Sequence, residues 1–473
     1  IVMTPDAKGA GGYATTTTTY GFGQVNATSS VYATTKVVDP IGNAAGGSTT
    51  KGTKVSFKDV DDRIMAVTEF NNGVPIITTY EYDPLGQITD VWDDKKNHTT
   101  IVYDDLGRRT MINNPDTGKT VYTYDANGNL TSKLTANYQK GKEITYTYQF
   151  NRLKSINYPF STQVVYEYGA MGELDNRAGR IKKVTDESGV EERYYGRLGE
   201  TLKEEKTPTG AKTQPVQSKK FTTQYVFDSF GRMTDMTYPD GEALSYAYDN
   251  GGLLKAAWGI KNGTRYDYIM SLIYDEYGQR TKIAYGNGTI STYAYDSLTR
   301  RLSGLNTTLK DSRTVQQLSY NYDLVGNVLH LANDISVPTN TALPAGPVTQ
   351  NFGYDDLYQI TTAGGNYTFG PGKHNTYQNA FTYDTIGNFT QKNQVHSIIQ
   401  PSLSAHLPKE TNYVLNYTYG SPKPHAVTDA GNKIYTYDAA GNMTGWDHKK
   451  NGTRRNIIWN EENRVQEVHD NGQ

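Results

Sequence analysis

Val121-Tyr122-Thr123-Tyr124-Asp125-Ala126-Asn127-Gly128-Asn129-Leu130-Thr131-Ser132-Lys133 alternates β-branched and aromatic residues as far as Asp125, breaks across Ala126 to Asn129, and resumes strand-forming residues at Leu130. A period of two marks a strand with one face half-buried. The break has the chemistry of a turn: an Asp carboxylate accepts from backbone N–H groups just ahead of it, and Gly supplies the positive φ that a tight turn or bulge requires. The stretch reads as a β-hairpin. Its key is an aromatic, Asp, two variable residues and Gly, usually followed by Asn, Arg or Gln.

The key recurs along the chain. Complete copies stand at Tyr82, Asp83, Gly86; Tyr103, Asp104, Gly107; Tyr124, Asp125, Gly128; Phe227, Asp228, Gly231; Tyr248, Asp249, Gly252; Tyr274, Asp275, Gly278; Tyr322, Asp323, Gly326; Tyr383, Asp384, Gly387; and Tyr437, Asp438, Gly441. Tyr295-Asp296 and Tyr354-Asp355 keep the pair without the Gly, Tyr168 with Gly172 and Tyr195 with Gly199 keep the ends, and Tyr148-Gln149 and Trp459-Asn460 are weaker echoes. The spacing is 21 residues from Tyr82 to Tyr103, Tyr103 to Tyr124, Phe227 to Tyr248 and Tyr274 to Tyr295, and longer gaps read as loop insertions. A second set of turns falls between copies, at Asn113 to Gly118, Tyr238 to Gly241 and Gly286 to Gly288. Two turns per unit leave two strands of about seven residues each, an ordinary length. No stretch has convincing helical character, and Glu191 to Lys206, the densest candidate, is interrupted by Gly196 and Gly199.

An isolated hairpin is marginal in water, so successive hairpins must pair edge to edge. The expected fold is all-β: tandem hairpins in one long antiparallel sheet that twist makes spiral into a hollow shell or part of one. Residues 1–33, rich in Gly and Thr, read as the start of the strip, and 34–473 as the repeat shell. Gly9 to Thr19, Pro338 to Pro347 and Pro401 to Pro408 read as loops or insertions and not as domain boundaries. At ~4.8 Å between strands the strip is of order 150–200 Å long. That suffices for an open arc or for one or two coils around a small lumen.

Composition agrees. The chain of 473 residues is 36% hydrophobic and 20% charged, with 39 Tyr, 12 Phe, 4 Trp and no Cys. An average globular domain is ~45–50% apolar, whereas disordered chains are charge-rich and aromatic-poor. Tyrosine is therefore the main apolar material, suited to half-buried positions where a ring packs and a hydroxyl finds a polar partner. The absence of Cys excludes disulfides, thiolate nucleophiles and iron–sulfur sites. A net charge of −2 offers no field for nucleic acid. No apolar run approaches the ~18 residues of a membrane-spanning helix. Ile1-Val2-Met3-Thr4 lacks the build of a signal peptide, and both ends read as cuts in a longer chain.

These residues resemble the RHS/YD-repeat family, whose signature is Tyr-Asp-x-x-Gly-Arg or -Asn at this period, and the similarity runs from about Thr34 to the end. The family includes bacterial Rhs polymorphic toxins, the B and C components of Tc toxins, wall-associated proteins and teneurin ectodomains. The resemblance implies a hollow shell of hairpins. It further implies a secreted or bacterial cell-surface protein, without catalytic activity of its own, that encapsulates and delivers a C-terminal effector lying outside this chain. The implied partner is that effector or another segment of the shell. Tyr435 to Thr444 and Ile458 to Arg464 are similar to the entrance of the family's RHS-associated core. Asp39-Pro40-Ile41-Gly42 and Asp83-Pro84-Leu85-Gly86 carry the letters of its self-cleavage motif, but on the wrong side of the repeats, and read as turns.

The alternative is a surface adhesion or carbohydrate-binding module without cargo. Trp92, Trp258, Trp446 and Trp459 are its candidate glycan contacts; packing across the sheet or plugging the shell ends is the competing and favoured reading. Acid–base chemistry has little support, because the repeat carboxylates are spread one per hairpin whereas an active site is one constellation. His98, His330, His374, His396, His406, His425, His448 and His469 show no metal-binding spacing. Asp59-Val60-Asp61-Asp62 begins like a calcium loop but lacks its Gly and its closing Glu. No cofactor is expected. Asn-x-Thr triplets such as Asn129-Leu130-Thr131 follow from the repeat, with Asn in the turn and Thr in the strand after it.

Overall fold

The computed structural model describes the chain apart from residues 7, 9–11, 45–49, 210–218, 337–345, 371, 402–407, 409–410 and 472–473. Gly9 to Gly11, His406 and most of the two Pro-spotted stretches lie outside the described residues, whereas Tyr13 to Thr19, read as a loop, belongs to the second strand, Tyr13–Gln24, which pairs with the first. The rest forms one sheet of 37 strands, from Val2–Pro5 to Val465–Asp470. Each strand pairs antiparallel with the strand before and the strand after it, as in the fourth to seventh, Thr53–Lys58, Ile64–Asn71, Val74–Tyr82 and Ile88–Trp92. No pairing joins the first described strand to the last, so the sheet is an open strip and not a closed barrel.

One short helix, Pro40–Ala44, interrupts the strands among the described residues. It occupies the first of the two Asp-Pro-x-Gly stretches read as turns. Asp39 Oδ1 accepts from the N–H groups of Ile41 and Gly42 at 2.9 and 3.0 Å, and Pro40 takes the first helical position, where its missing N–H costs nothing.

Each motif hairpin carries a bulge where its aromatic residue meets the outgoing strand. The register slips between Thr123 and Tyr124, between Ala247 and Tyr248, and between Thr382 and Tyr383. Bulges increase local twist and bend the strand, so repeating one per hairpin curves the strip continuously in one sense. The strip is a single layer with little deep core. The 52.6-kDa chain exposes 27738 Å², against about 17,600 Å² for a globular protein of that mass, so both faces of the sheet remain open to solvent.

Candidate functional site

The functional feature this fold builds is a wall, and its working parts are the two rims where the strip turns. In the hairpin turn at Tyr124, Asp125 Oδ1 accepts from the N–H groups of Asn127 and Asn129 at 2.9 and 2.8 Å, and Asn129 Nδ2 donates to Asp125 Oδ2 at 2.9 Å. Gly128 stands at φ +85°, a conformation that strains any residue with a Cβ. Asp83, Asp104, Asp228, Asp275, Asp323 and Asp384 accept from turn N–H groups in the same way. Asp249 and Asp438 each accept from the N–H four residues on. The donors tune the carboxylates. The Arg108 N–H, with its guanidinium, holds Asp104 below the usual carboxylate range, and the Asn129 amide does the same for Asp125. Burial pushes Asp384 up, but Lys95 and Asn388 outweigh it and the net direction is down.

The motif tyrosines face the preceding hairpin. Tyr82 OH donates to Ile64 O, Tyr124 OH to Arg109 O, Tyr248 OH to Met233 O and Tyr383 OH to Ile360 O, at 2.7–2.8 Å. Each acceptor is the carbonyl at the start of the strand leaving the preceding turn. This is why Tyr outnumbers Phe: the ring packs against the sheet and the hydroxyl satisfies a bulge carbonyl. The sixth motif residue links turn to turn in the other direction. Arg108 Nη1 donates to Asp125 O at 2.8 Å while its Nε holds Asp104, and its guanidinium lies 4.9 Å from the Tyr124 ring centroid. Gln87 Nε2 reaches Gly107 O and Gln279 Nε2 reaches Arg300 O at 2.9 and 2.8 Å.

Two further turns of this kind were hidden by losing both the Tyr and the Gly, or the Gly alone. Lys58-Asp59-Val60-Asp61-Asp62-Arg63 is the same turn: Asp59 Oδ1 accepts from Asp61 N and Arg63 N, each at 3.0 Å, and Oδ2 from Arg63 Nε. The carboxylate that resembles a calcium ligand is thus occupied by its own turn. Trp92-Asp93-Asp94-Lys95-Lys96-Asn97 makes the same turn on the opposite rim, between the copies at Tyr82 and Tyr103 and without their bulge, closed by Asn97 N to Asp93 Oδ1 at 2.8 Å, with Lys96 in Gly's place at φ +66°. The signal that finds both is Asp followed four residues later by Arg or Asn.

The second rim meets the first. From the fifth strand to the thirteenth, each turn between motif copies touches the turn twenty-three strands further on. Asn71 Nδ2, at the turn after the fifth strand, donates to Asp355 Oδ2 after the twenty-eighth, at 3.0 Å. Lys95, after the seventh, pairs with Asp384 after the thirtieth at 2.5 Å. Asn137, after the eleventh, donates to Asp438 Oδ2 and accepts from Ala440 N after the thirty-fourth, at 2.9 and 2.8 Å. Glu461, after the thirty-sixth, accepts from Phe160 N, Ser161 N and Ser161 Oγ at 2.8, 2.9 and 2.6 Å, and is 3% exposed. Burial pushes its carboxyl up, but these donors win and hold it below the usual range. Tyr358, on a motif turn, hydrogen-bonds Asp39 across the same seam. A strip paired only neighbour to neighbour can touch itself at a constant twenty-three-strand interval only by winding round an axis. Twenty-three strands at ~4.8 Å give a circumference of roughly 110 Å, about 35 Å across and wider with strand tilt.

The four tryptophans do not converge on one patch: they stand on the seventh, twenty-first, thirty-fifth and thirty-sixth strands. Trp92 stacks on His98 at 4.4 Å, Arg265 lies 4.6 Å over Trp258, and Lys433 Nζ 3.7 Å over Trp446. Trp459 takes the motif tyrosine's place and its Nε1–H donates to Met443 O at 2.8 Å, the same bond made by an indole. Among the described residues no cluster of three or more His, Asp or Glu is arranged to hold a metal ion, and no helix is long and apolar enough to cross a membrane.

Comparison with known proteins agrees with this geometry. Residues 97–472 match the teneurin YD-shell family. The toxin subunit YenC1 of Yersinia entomophaga is 31% identical over 253 residues, 47% of this chain and 24% of that protein. The toxin subunit YenC2 of the same organism is 26% identical over 247 residues, 51% of this chain and 22% of that protein. The chain therefore spans about a quarter of the length of these relatives. In the Photorhabdus luminescens Tc holotoxin pore, a chain superposes on 92% of this one with a TM-score of 0.76 at 24% identity, using 23% of its own length. The TcdB2–TccC3 structure gives 0.74 at 23% identity, over 92% of this chain and 25% of that one.

Proposed function

The chain belongs to the teneurin YD-shell family, and on that premise we propose that it is a non-catalytic stretch of shell wall in a secreted bacterial toxin, enclosing and carrying an effector segment of the same polypeptide. The observation that carries the reading is the seam. A one-layer strip that returns on itself every twenty-three strands leaves a lumen of about 25 Å once side chains of ~5 Å line each side. Such a space admits an unfolded or loosely folded chain and excludes a folded protease. The relatives are toxin subunits, which favours cargo over adhesion as the use of the space. The wall is the product of structural side chains: the motif carboxylates are committed to turns, one per hairpin, and supply no acid–base pair.

The test is protection. A segment following Gln473 in the same chain should resist trypsin under conditions that digest that segment alone, and Glu461→Ala, which opens the seam, should restore its digestion. Equal digestion with and without the repeats would sink the proposal.

A further inference from the structure

Sideways, each strand of the strip is held by its ladders, and the ladders are unequal. Two of them on the first coil join only two residue pairs each. The eleventh strand, Leu130–Leu134, meets the twelfth, Ile144–Gln149, through Ser132 with Thr145 and Lys133 with Ile144. The thirteenth, Arg152–Asn157, meets the fourteenth, Val164–Tyr168, through Ser155 with Val165 and Ile156 with Val164. The ladders on either side of the thirty-third strand are as short, and among the described residues every other ladder joins three pairs or more. The first two border one hairpin. Its own strands pair at five positions, so it is complete within itself and weakly joined on both sides. Its turn is the echo at Tyr148-Gln149, which has neither the Asp nor the Gly of the motif and runs through Phe150 and Asn151 at φ +51° and +58°.

What the ladders lack, the seam supplies. The loop before the hairpin carries Asn137, bonded to Asp438 and Ala440. The loop after it carries Phe160 and Ser161, bonded to Glu461, and Tyr158, whose OH donates to Glu462 Oε1 at 3.0 Å. The two short ladders of the second coil lie beside the ninth to eleventh strands at the twenty-three-strand interval, next to the hairpin. Their leading loop is bonded across the seam in the same manner: His425 N donates to Asp116 Oδ1 at 2.9 Å and Lys423 Nζ to Asp116 O at 2.6 Å. Short ladders and cross-coil bonds thus coincide in one sector of the wall. The hairpin's other ties are single side-chain bonds: Tyr148 OH to Leu130 O and Tyr168 OH to Leu153 O at 2.8 Å, Arg152 Nη1 to Gly179 O at 3.1 Å, and Asn151 Oδ1 accepting from Asn127 and Asn129 at 3.1 Å. Ile144, 1% exposed, is its most buried side chain and keeps it seated at rest.

We propose that the hairpin Ile144 to Asn157 is a panel that leaves the wall as a unit, and that Asn137, Tyr158 and Glu461 are the latch that holds it shut. Its departure breaks two ladder pairs on each side and leaves three strand spacings, roughly 14 Å, between the eleventh and fourteenth strands. An extended chain, about 5 by 10 Å in section, fits that gap. The panel is then a port for a polypeptide segment crossing the wall. That use rests on the reading of the wall as an enclosure, whereas the panel rests on the ladders and the latch alone.

Hydrogen exchange of the full chain should show the amides of Ile144 to Asn157 opening together, and faster than those of the flanking hairpins, Gly118 to Leu134 and Val164 to Asp186. Asn137→Ala and Glu461→Ala each remove latch bonds and leave the panel's own pairing intact. Each should keep the β-sheet circular dichroism and raise exchange in the panel about tenfold. The chain has no Cys, so cysteines can be placed across the short ladders, Ser132→Cys with Thr145→Cys and Ser155→Cys with Val165→Cys. Directly opposed residues lie about 4.5–5.5 Å apart at Cα, within reach of a disulfide. Oxidation should return the panel of a latch variant to the exchange of its neighbours, and reduction should release it again. Independent exchange of the two strands, or latch variants whose panel exchanges no faster than its neighbours, overturns the proposal. With a segment following Gln473 in the same chain, digestion in Glu461→Ala that oxidation of the cysteines abolishes supports the port. Digestion that persists with the panel locked overturns the port, and a segment never protected in the unchanged chain overturns the enclosure reading, while exchange still decides the panel.

Discussion

A motif tyrosine has its ring on the sheet and its hydroxyl on a carbonyl of the hairpin before it, so the two contributions can be separated by one oxygen atom. Tyr248→Phe removes the 2.7 Å bond to Met233 O and keeps the packing, as Phe227 already does in its own copy. The expected cost is about 1 kcal/mol, read as a lower urea midpoint, because a half-exposed carbonyl recovers part of its loss from water. No change would mean that the ring alone holds the repeat. Titration belongs at the same scale. Asp104, Asp125, Asp228 and Asp296 are held below the usual carboxylate range: turn donors predominate for Asp104, Asp125 and Asp296, while for Asp228 burial pushes up and the Arg232 donors outweigh it. A lowered folded pKa stabilises above the unfolded value of about 4 and is lost as pH falls through the folded value. Tyr146 and Tyr419 are pushed up to about 12 by burial, which stabilises below the unfolded value of about 10 and is lost as pH rises through the folded one. Thermal unfolding across pH should therefore show a plateau between about pH 5 and 9 that falls on both sides; a curve flat down to pH 2 would contradict the role given to the carboxylates.

Between hairpins, the sixth motif residue ties one turn to the next, and natural variation within the chain already says which side chains can do it. Gln87 also makes a forward bond to a turn carbonyl, so Arg108→Gln should keep that link while losing those to Asp104 and the Tyr124 ring, and should cost less than Arg108→Ala, which loses all three at about 1–2 kcal/mol. Equal losses in both variants would remove the forward bond from the account. At this scale the sequence was highly legible, for a physical reason: a hairpin is a local object, and its period, its Asp and its Gly all lie within the residues that form it. The all-β strip follows from residues such as Tyr122 to Lys133 alone. Turns whose Gly gave way to another left-handed residue, Asp62 at φ +64° and Lys96 at φ +66°, were illegible because the turn needs only the conformation and not the residue. The turn read at Asp39-Pro40 is a capped helix: the Asp39 carboxylate accepts from the N–H groups two and three residues on, as an N-cap does, whereas Asp125 accepts from those two and four residues on.

For the whole molecule the decisive contacts are those the sequence could not show, because the partners are some three hundred residues apart and share no pattern. Nothing in Glu461, in a weak echo of the motif, announces that it will cap the loop of Phe160 and Ser161. The seam can be isolated by comparing two glycines with the same backbone. Gly128 and Gly441 stand at φ +85° and +87°, so Ala strains both equally, by about 1 kcal/mol or more. At Gly128 an added Cβ meets nothing within 4 Å, whereas at Gly441 it comes within 2.6 Å of Asp116 O, on the other coil. Gly441→Ala must therefore displace the neighbouring coil as well as strain its own turn. Hydrogen exchange separates the two effects: Gly128→Ala should raise exchange only around its own hairpin, while Gly441→Ala should also raise it at Asn114 to Gly118 in the first coil. Glu461→Ala should do the same at Tyr158 to Ser161, where it strands two N–H groups and a hydroxyl at a cost of about 2 kcal/mol. If either variant leaves exchange in the first coil unchanged, the coils are not mechanically joined there, and the wall is a loose spiral whose turns move independently.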